Sequence, residues 1–244
     1  MKIPYRFKVI FLSFLAVFIC YIDRVNISVA IIPMQDQFGW SEIQKGFILS
    51  SFYIGYMITM IVGGYIADKY GGKKVLGYCL IIWSIFTIIT PFFAYLGIWW
   101  LLFIRVLMGL GEGITFPSWH AIYARWIPFK ERTRAVAFTN SGIAAGTMFG
   151  YGMAAIIISN YSWEWVFYLF GMLGFFWFIF WNKNVTSFPE NNKHIPAEEL
   201  DLILKEAPSK ESAPSIPFLK LITNLPFLAI VVATFCNNWT LYTF

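Results

Sequence analysis

Four ionisable side chains lie inside long apolar stretches of this sequence, where charge is costly. Asp23 and Arg24 fall in the first stretch, and Arg105 and Glu112 fall in a later one. Each charge costs about 2.5–3.5 kcal/mol at the centre of a membrane helix, so such groups face a partner or a water-filled cavity. Their types suit two kinds of chemistry, because an arginine binds anions and a carboxyl group exchanges protons. The alternative is a structural ion-pair network that fixes helix packing.

The two charges of the first stretch must face different surroundings. Residues adjacent on a helix point about 100° apart, so Asp23 and Arg24 cannot pair face to face. Tyr21, Arg24 and Ser28 share one helix face, which predicts a surface able to bind an anion. Asp23 points toward another helix and therefore needs a partner of its own.

Depth in the membrane suggests that partner. At a rise of about 1.5 Å per residue and a hydrocarbon core about 30 Å thick, Asp23 and Arg105 both lie about 20 Å from the inner edge. We therefore hypothesise an Asp23–Arg105 ion pair. Glu112 lies two helical turns beyond Arg105, with no evident basic partner at its depth. Because desolvation favours the neutral form of a carboxyl group, the sequence predicts Glu112 as the group best suited to carry protons.

Such residues require helices that cross a bilayer. Of the 244 residues, 59% are hydrophobic and only 13% are charged, whereas a soluble domain carries about a quarter charged residues. A crossing helix needs about 20 mostly apolar residues. Six stretches meet this length before a seventh begins near Leu225: 9–32, 43–67, 75–94, 98–124, 135–159 and 163–182. The sequence therefore predicts an all-α membrane protein with a six-helix bundle and the start of a seventh span.

Basic residues predict the orientation of these spans. Of the 18 lysines and arginines, three precede the first span, three lie between the second and third, four lie between the fourth and fifth, and five follow the sixth. Only Lys45 falls in a loop on the other side. Since basic loops stay on the inner side of a membrane, we expect a cytoplasmic N-terminus in the cell (inner or plasma) membrane. The net charge of +5 is then a topology signal, and no nucleic-acid partner is expected.

Three regions follow from this pattern. Residues 1–182 form the six-helix bundle, 183–224 form a polar cytoplasmic linker, and 225–244 begin the next bundle. The linker contains five prolines: Pro189, Pro196, Pro208, Pro214 and Pro217. Between them, Ala197 to Lys205 has the pattern of a short amphipathic helix.

Catalytic and cofactor signatures are absent from the sequence. Three scattered cysteines and two histidines have no metal-ligand spacing, and no phosphate-binding loop or nucleophile elbow is present. We therefore expect neither an enzyme nor a bound metal or cofactor.

The loop between the second and third spans carries a recognisable pattern. Gly64, Asp68, Lys69, Gly71 and Lys73 stand in the segment 64–74, which resembles the loop signature of the major facilitator superfamily. The resemblance implies a conformational latch in which Asp68, at the end of its helix, accepts hydrogen bonds from the start of a neighbouring helix. It also implies about 12 spans arranged as six plus six, with the substrate between the halves.

Further segments resemble the anion:cation symporter branch of that superfamily, which contains sialic acid, vesicular glutamate and bacterial sugar-acid carriers. The matching segments are 21–26, 105–117, 126–134, 194–196 and 238–239. The resemblance implies a substrate site made of Arg24, Tyr21, Tyr56 and Asn238. It implies that protons are carried by Asp23 and Glu112, with Arg105 as counter-ion.

The function expected from this resemblance is secondary active transport by alternating access, with an organic carboxylate such as a sugar acid moving together with protons. A carrier that uses sodium or moves an inorganic anion is the nearest alternative. A second alternative is a non-transporting membrane half-module that needs a partner chain, since the sequence ends within the seventh span of the expected 12. The expected partners are the small anion, protons or sodium, and the lipid bilayer.

Overall fold

The computed structural model describes residues 4–206, 223–229, 232–233 and 236. It divides the chain into two compact units, Met1–Ala207 and Pro208–Phe244. The described part of the first unit contains eight α-helices, no strand and a short 3-10 helix at Pro189–Asn191. The helices are α1 (Tyr5–Phe38), α2 (Glu42–Tyr70), α3 (Gly72–Leu96), α4 (Ile98–Glu112), α5 (Thr115–Trp126), α6 (Phe129–Asn160), α7 (Glu164–Asn184) and α8 (Ala197–Glu206).

Five of these elements are long and apolar enough to cross a membrane by themselves: α1, α3, α4 with α5, α6 and α7. A sixth span is present if the two arms of α2, Glu42–Met60 and Val62–Tyr70, which meet at a bend of 53°, are one crossing. This confirms the predicted all-α membrane fold. The fourth predicted span is interrupted by a turn at Gly113 and Ile114, directly after Glu112, which the sequence analysis did not anticipate.

The six spans pack mainly in pairs of neighbouring helices. Helix α1 lies mainly against α6 and α7, α2 lies against α4, and α3 lies against both α4 and α7. Helix α1 is therefore covered on several sides, which explains why 67% of its most apolar window is buried. This packing brings the charged residues of α1 next to those of α4.

Small residues allow the close approach of α1 and α6. Gly142, Gly146 and Gly150 recur at every fourth position on the buried face of α6. A Cβ at Gly146 would overlap the backbone carbonyl oxygen of Phe18 on α1 and lie 3.1 Å from its Cα. A backbone atom cannot move aside as the end of a side chain can. The close contact between α6 and α1 therefore requires a glycine at position 146, because any other residue would add a Cβ there.

We expect Gly146→Ala to lower the free energy of unfolding by about 1–3 kcal/mol, because the added methyl group overpacks the contact with α1. The measurement is the thermal unfolding midpoint of the purified protein in detergent. Gly152→Ala is the matched control, since a Cβ at Gly152 meets nothing within 4 Å. Equal midpoints for the two variants would contradict the proposed role of Gly146.

The predicted amphipathic helix of the linker is present as α8, and it contacts the start of α1. Glu199 accepts hydrogen bonds from the backbone nitrogens of Tyr5 (2.8 Å) and Arg6 (3.0 Å). It also accepts one from Nη1 of Arg6 at 3.1 Å. Arg6 pairs in addition with Glu131 at the start of α6, with 2.7 Å between Nε and Oε2. A carboxylate at this position satisfies two free amides and complements the helix dipole.

In the second unit, the described residues 225–229 are helical. Asn224 precedes them, and its side-chain oxygen accepts a hydrogen bond from the backbone nitrogen of Phe227 at 3.3 Å. This start agrees with the seventh span predicted from Leu225.

Candidate functional site

The four predicted charges lie on α1 and α4, and all four are buried. Asp23 and Glu112 have no exposed surface, and Arg105 and Arg24 are 2% and 9% exposed. A charged group without water needs partners of opposite charge or hydrogen bonds. The partners that the structure provides therefore define what each residue can do.

Arg24 and Glu112 form an ion pair, with 3.2 Å between Nη2 and Oε2. The expectation that Glu112 has no basic partner was therefore wrong. Side chains on a helix lean toward its N-terminus, so Arg24 on α1 reaches back toward the basic loops. Helix α4 runs in the opposite direction, so Glu112 leans outward to meet it. The depth of the backbone alone does not reveal this convergence of the two side chains.

Cys20, one turn before Arg24, is a third member of this cluster. Its thiol donates to Oε2 of Glu112 at 3.3 Å, and Nη2 of Arg24 donates to its sulfur at 3.8 Å. Cys20 was not among the predicted site residues. The only available signal was its position four residues before Arg24, which places both on one helix face.

Aromatic rings surround the guanidinium group of Arg24. Its Cζ atom lies 4.7 Å from the ring centroid of Tyr21, 4.6 Å from that of Tyr56 and 5.3 Å from that of Phe52. Nη1 also donates to the hydroxyl of Tyr21 at 3.5 Å. Tyr21 and Tyr56 thus lie beside Arg24 as predicted, while Phe52 was not predicted. Rings that contact the faces of a guanidinium leave its edge for carboxylates, and this edge already carries Glu112.

The hypothesised Asp23–Arg105 ion pair is not formed, since no nitrogen of Arg105 lies within 4.0 Å of a carboxylate in the described part of the chain. Asp23 instead accepts a hydrogen bond from Nε1 of Trp83 on α3 at 3.2 Å. Arg105 lies over the ring of Phe52 at 5.0 Å and donates to the sulfur of Met108 at 3.9 Å. Asp23 and Arg105 were predicted to lie at the same depth, but depth does not determine the direction in which a side chain points. Asp23 points toward α3.

Several polar atoms of the cluster keep unused bonding capacity. Oε1 of Glu112, Nε of Arg24 and Oδ1 of Asp23 are buried and have no hydrogen-bond partner among the described residues. A buried polar atom without a partner costs about 1–3 kcal/mol. The two carboxylate oxygens can accept a hydrogen bond or a proton, and Nε of Arg24 can donate to a ligand or a water molecule.

The predicted latch residues do not form a connected set in this structure. Asp68 is exposed and has no side-chain hydrogen bond or ion pair with any residue in the described ranges. Lys69 lies over the rings of Tyr65 and Tyr70 at 5.6 Å and 5.4 Å. Lys73 donates to Asn182 of α7 at 2.7 Å.

The glycines of the same loop differ from one another. Gly71 has φ +87°, a conformation that side chains disfavour, while a Cβ at Gly64 would meet nothing within 4 Å. Gly71 therefore explains the sharp turn from α2 to α3, and the role of Gly64 stays a prediction. Asn238, the fourth predicted substrate residue, lies outside the described residues.

The sequence matches one protein-family model and several curated relatives. The sequence model of the family described as Major Facilitator Superfamily matches residues 13–244. The chain is 39% identical over 238 residues to "Ascorbate transporter, chloroplastic" of Arabidopsis thaliana, covering 98% of this chain and 44% of the relative. It is 40% identical over 238 residues to "Sodium-dependent phosphate transport protein 1, chloroplastic" of the same plant, covering 98% and 46%.

Human sialin is 36% identical over 269 residues, covering 98% of this chain and 54% of sialin. The chain thus spans about half the length of the curated relatives that it matches. Among solved structures, an occupied, inward-facing bacterial homologue of the human lysosomal transporter Spinster aligns with a TM-score of 0.68 at 25% identity. That alignment covers 78% of this chain and 46% of the other.

Proposed function

Because the chain belongs to the Major Facilitator Superfamily, we propose that its protein carries an organic carboxylate together with protons across a membrane by alternating access. Sialin and the plant anion carriers among its relatives confirm the predicted branch, and they are transporters rather than enzymes. The chain is a multi-pass membrane protein of that fold. The substrate and the coupling ion belong to the proposal.

The observation that carries the proposal is the buried Arg24–Glu112 ion pair. A substrate carboxylate needs the guanidinium edge that Glu112 occupies. When the substrate binds Arg24, Glu112 loses its partner and becomes an uncompensated buried charge, which is strongly unfavourable. Protonation of Glu112 removes that charge. Binding of the anion and binding of a proton are thereby coupled at one pair of residues.

The neighbouring residues have supporting roles in this scheme. Tyr21 and Tyr56 hold the guanidinium between their rings and contact the substrate, and Asn238 contributes from the seventh span. Asp23, which has one unpartnered oxygen, carries a second proton. Arg105 raises the local positive potential as a counter-ion. The loop residues Gly64, Asp68, Lys69, Gly71 and Lys73 form the latch in another conformation of the cycle.

The distribution of basic residues supports a cytoplasmic N-terminus, and we propose the inner or plasma membrane as its location. The names of several relatives contain the word chloroplastic, which describes those proteins. Expression of a fluorescently tagged protein, with the tag at the N-terminus, tests both points. Fluorescence quenched from the outside of intact cells would overturn the proposed orientation.

We expect uptake of labelled sugar acids into proteoliposomes to require an inward proton gradient and to be independent of sodium. The measurement compares a panel of aldonates and hexuronates under a proton gradient, a sodium gradient or neither. A protonophore should abolish accumulation, since the gradient supplies the driving force.

The second candidate is a sodium-coupled carrier of an inorganic anion. It is favoured by the similarity to a sodium-dependent phosphate transport protein. Labelled phosphate in the same experiment separates the two. Phosphate uptake driven by sodium, with no response to a proton gradient, would replace the leading proposal. If neither anion is transported by the chain alone, the half-module alternative gains support, and co-expression with a second bundle tests it.

A further inference from the structure

A groove runs along the outside of the bundle between α1 and α7, away from the Arg24–Glu112 pair. Its volume is about 750 Å³, and every residue that lines it belongs to one of these two helices. The walls are almost entirely apolar. Phe11, Phe176 and Phe180 are among them, and these rings are 50%, 61% and 59% exposed. In a membrane such a surface faces lipid chains.

The length of the groove matches one leaflet of a bilayer. On α1 its lining runs from Phe7 to Ile19, and on α7 it runs from Asn184 back to Leu173. These distances are 12 and 11 residues, or about 18 Å and about 16 Å at a rise of about 1.5 Å per residue. Half of a hydrocarbon core about 30 Å thick is about 15 Å. An acyl chain that enters from the basic side therefore reaches the end of the groove at mid-membrane.

The mouth of the groove carries one uncompensated positive charge. Lys8 and Asn184 are the only polar residues that line it. The ammonium group of Lys8 lies 4.7 Å from the ring centroid of Tyr5, and it forms no ion pair with an acidic residue of the described chain. Arg6, two residues earlier, is by contrast neutralised by Glu131 and Glu199.

We propose that this groove binds an anionic phospholipid of the leaflet on the basic side, with its acyl chain between α1 and α7 and its headgroup at Lys8. A basic pocket between membrane helices on this side suits anionic headgroups. Asn184 borders the same mouth, and its side-chain amide nitrogen donates to the carbonyl oxygen of Phe180, which leaves Lys8 as the group that binds the headgroup phosphate. The site is separate from the proposed substrate site and does not depend on the transported substrate.

The test measures lipid retention by native mass spectrometry of the detergent-purified protein, after addition of equal amounts of phosphatidylglycerol and phosphatidylcholine. We expect phosphatidylglycerol to be retained about fivefold more, the factor given by one lysine at a membrane surface. Lys8→Gln should remove this preference. Lys130→Gln, which removes an exposed basic residue from the same side of the membrane outside the groove, should preserve it.

A second variant tests the apolar part. Leu15→Trp places a larger ring in the groove, and it should reduce the retention of both lipids. Because Leu15 also packs against the core, the unfolding midpoint is measured alongside, and a folded protein at the measurement temperature separates this effect from loss of the fold. Equal retention of the two lipids by the unchanged protein would overturn the proposal. It would also be overturned if Lys130→Gln lost the preference as Lys8→Gln does, or if Leu15→Trp retained both lipids fully.

Discussion

Replacing Arg24 with alanine is expected to abolish anion uptake and to destabilise the protein by about 3–5 kcal/mol. Uptake is lost because the guanidinium that binds the substrate carboxylate is removed. Stability is lost because Glu112, which has no exposed surface, then either keeps a buried charge without its partner or must take up a proton, and both cost free energy. The measurements are uptake of the labelled anion in proteoliposomes and the unfolding midpoint in detergent.

A double variant separates these two effects. Arg24→Ala combined with Glu112→Gln leaves no uncompensated charge at the pair, so the midpoint should recover while uptake stays absent. Arg24→Lys keeps the charge but cannot form the two parallel hydrogen bonds of a guanidinium, and it should bind the anion weakly. Uptake that persists in either Arg24→Ala variant would contradict the assignment of Arg24 as the anion-binding residue.

Replacing Glu112 with glutamine is expected to uncouple anion movement from the proton gradient. Glutamine has nearly the shape of glutamate but cannot carry a proton, so accumulation above the external concentration should disappear. Exchange of internal for external anion should continue. Anion affinity should increase roughly tenfold, equivalent to about 1.4 kcal/mol, because the substrate no longer competes with a carboxylate for Arg24.

Counterflow and gradient-driven uptake, measured on the same proteoliposomes, distinguish these results. Cys20→Ser is a useful companion, since a hydroxyl keeps a donor toward Glu112 and should preserve coupling. Proton-driven accumulation that is unchanged in Glu112→Gln would exclude Glu112 as a coupling residue. Loss of both exchange and accumulation would instead indicate a structural role for the ion pair.

The features of the site that could be predicted are those set by helix periodicity and by the cost of buried charge. Tyr21 and Arg24 are three positions apart on α1, and their contact follows from helix geometry alone. The burial of Glu112 follows from its place in an apolar stretch. In the same way, apolar length predicted the spans, and the amphipathic pattern of 197–205 predicted α8.

The features that could not be predicted depend on the directions in which helices face one another. Trp83 and Phe52 are aromatic residues within apolar stretches, so nothing in the sequence distinguishes them from lipid-facing residues. Arg24 pairs with Glu112 because of the rotation of α4 about its axis, which brings the Glu112 side chain toward α1. The sequence does not reveal this rotation.

The turn at Gly113 was not predicted either, although Gly111, Gly113 and Pro117 are residue types that interrupt helices. The apolar length of the whole stretch favoured one unbroken span.

The contact between Glu199 and the first amides of α1 has a consequence for the order in which the protein is made. The two partners are 194 residues apart, and ribosomes add about 5–20 residues per second. The start of the first helix therefore waits roughly 10–40 s for the residue that completes its cap. During this time the N-terminal turn is available to water, lipid headgroups or the insertion machinery. The start of the first helix is therefore completed only after all six spans of the bundle have been synthesised.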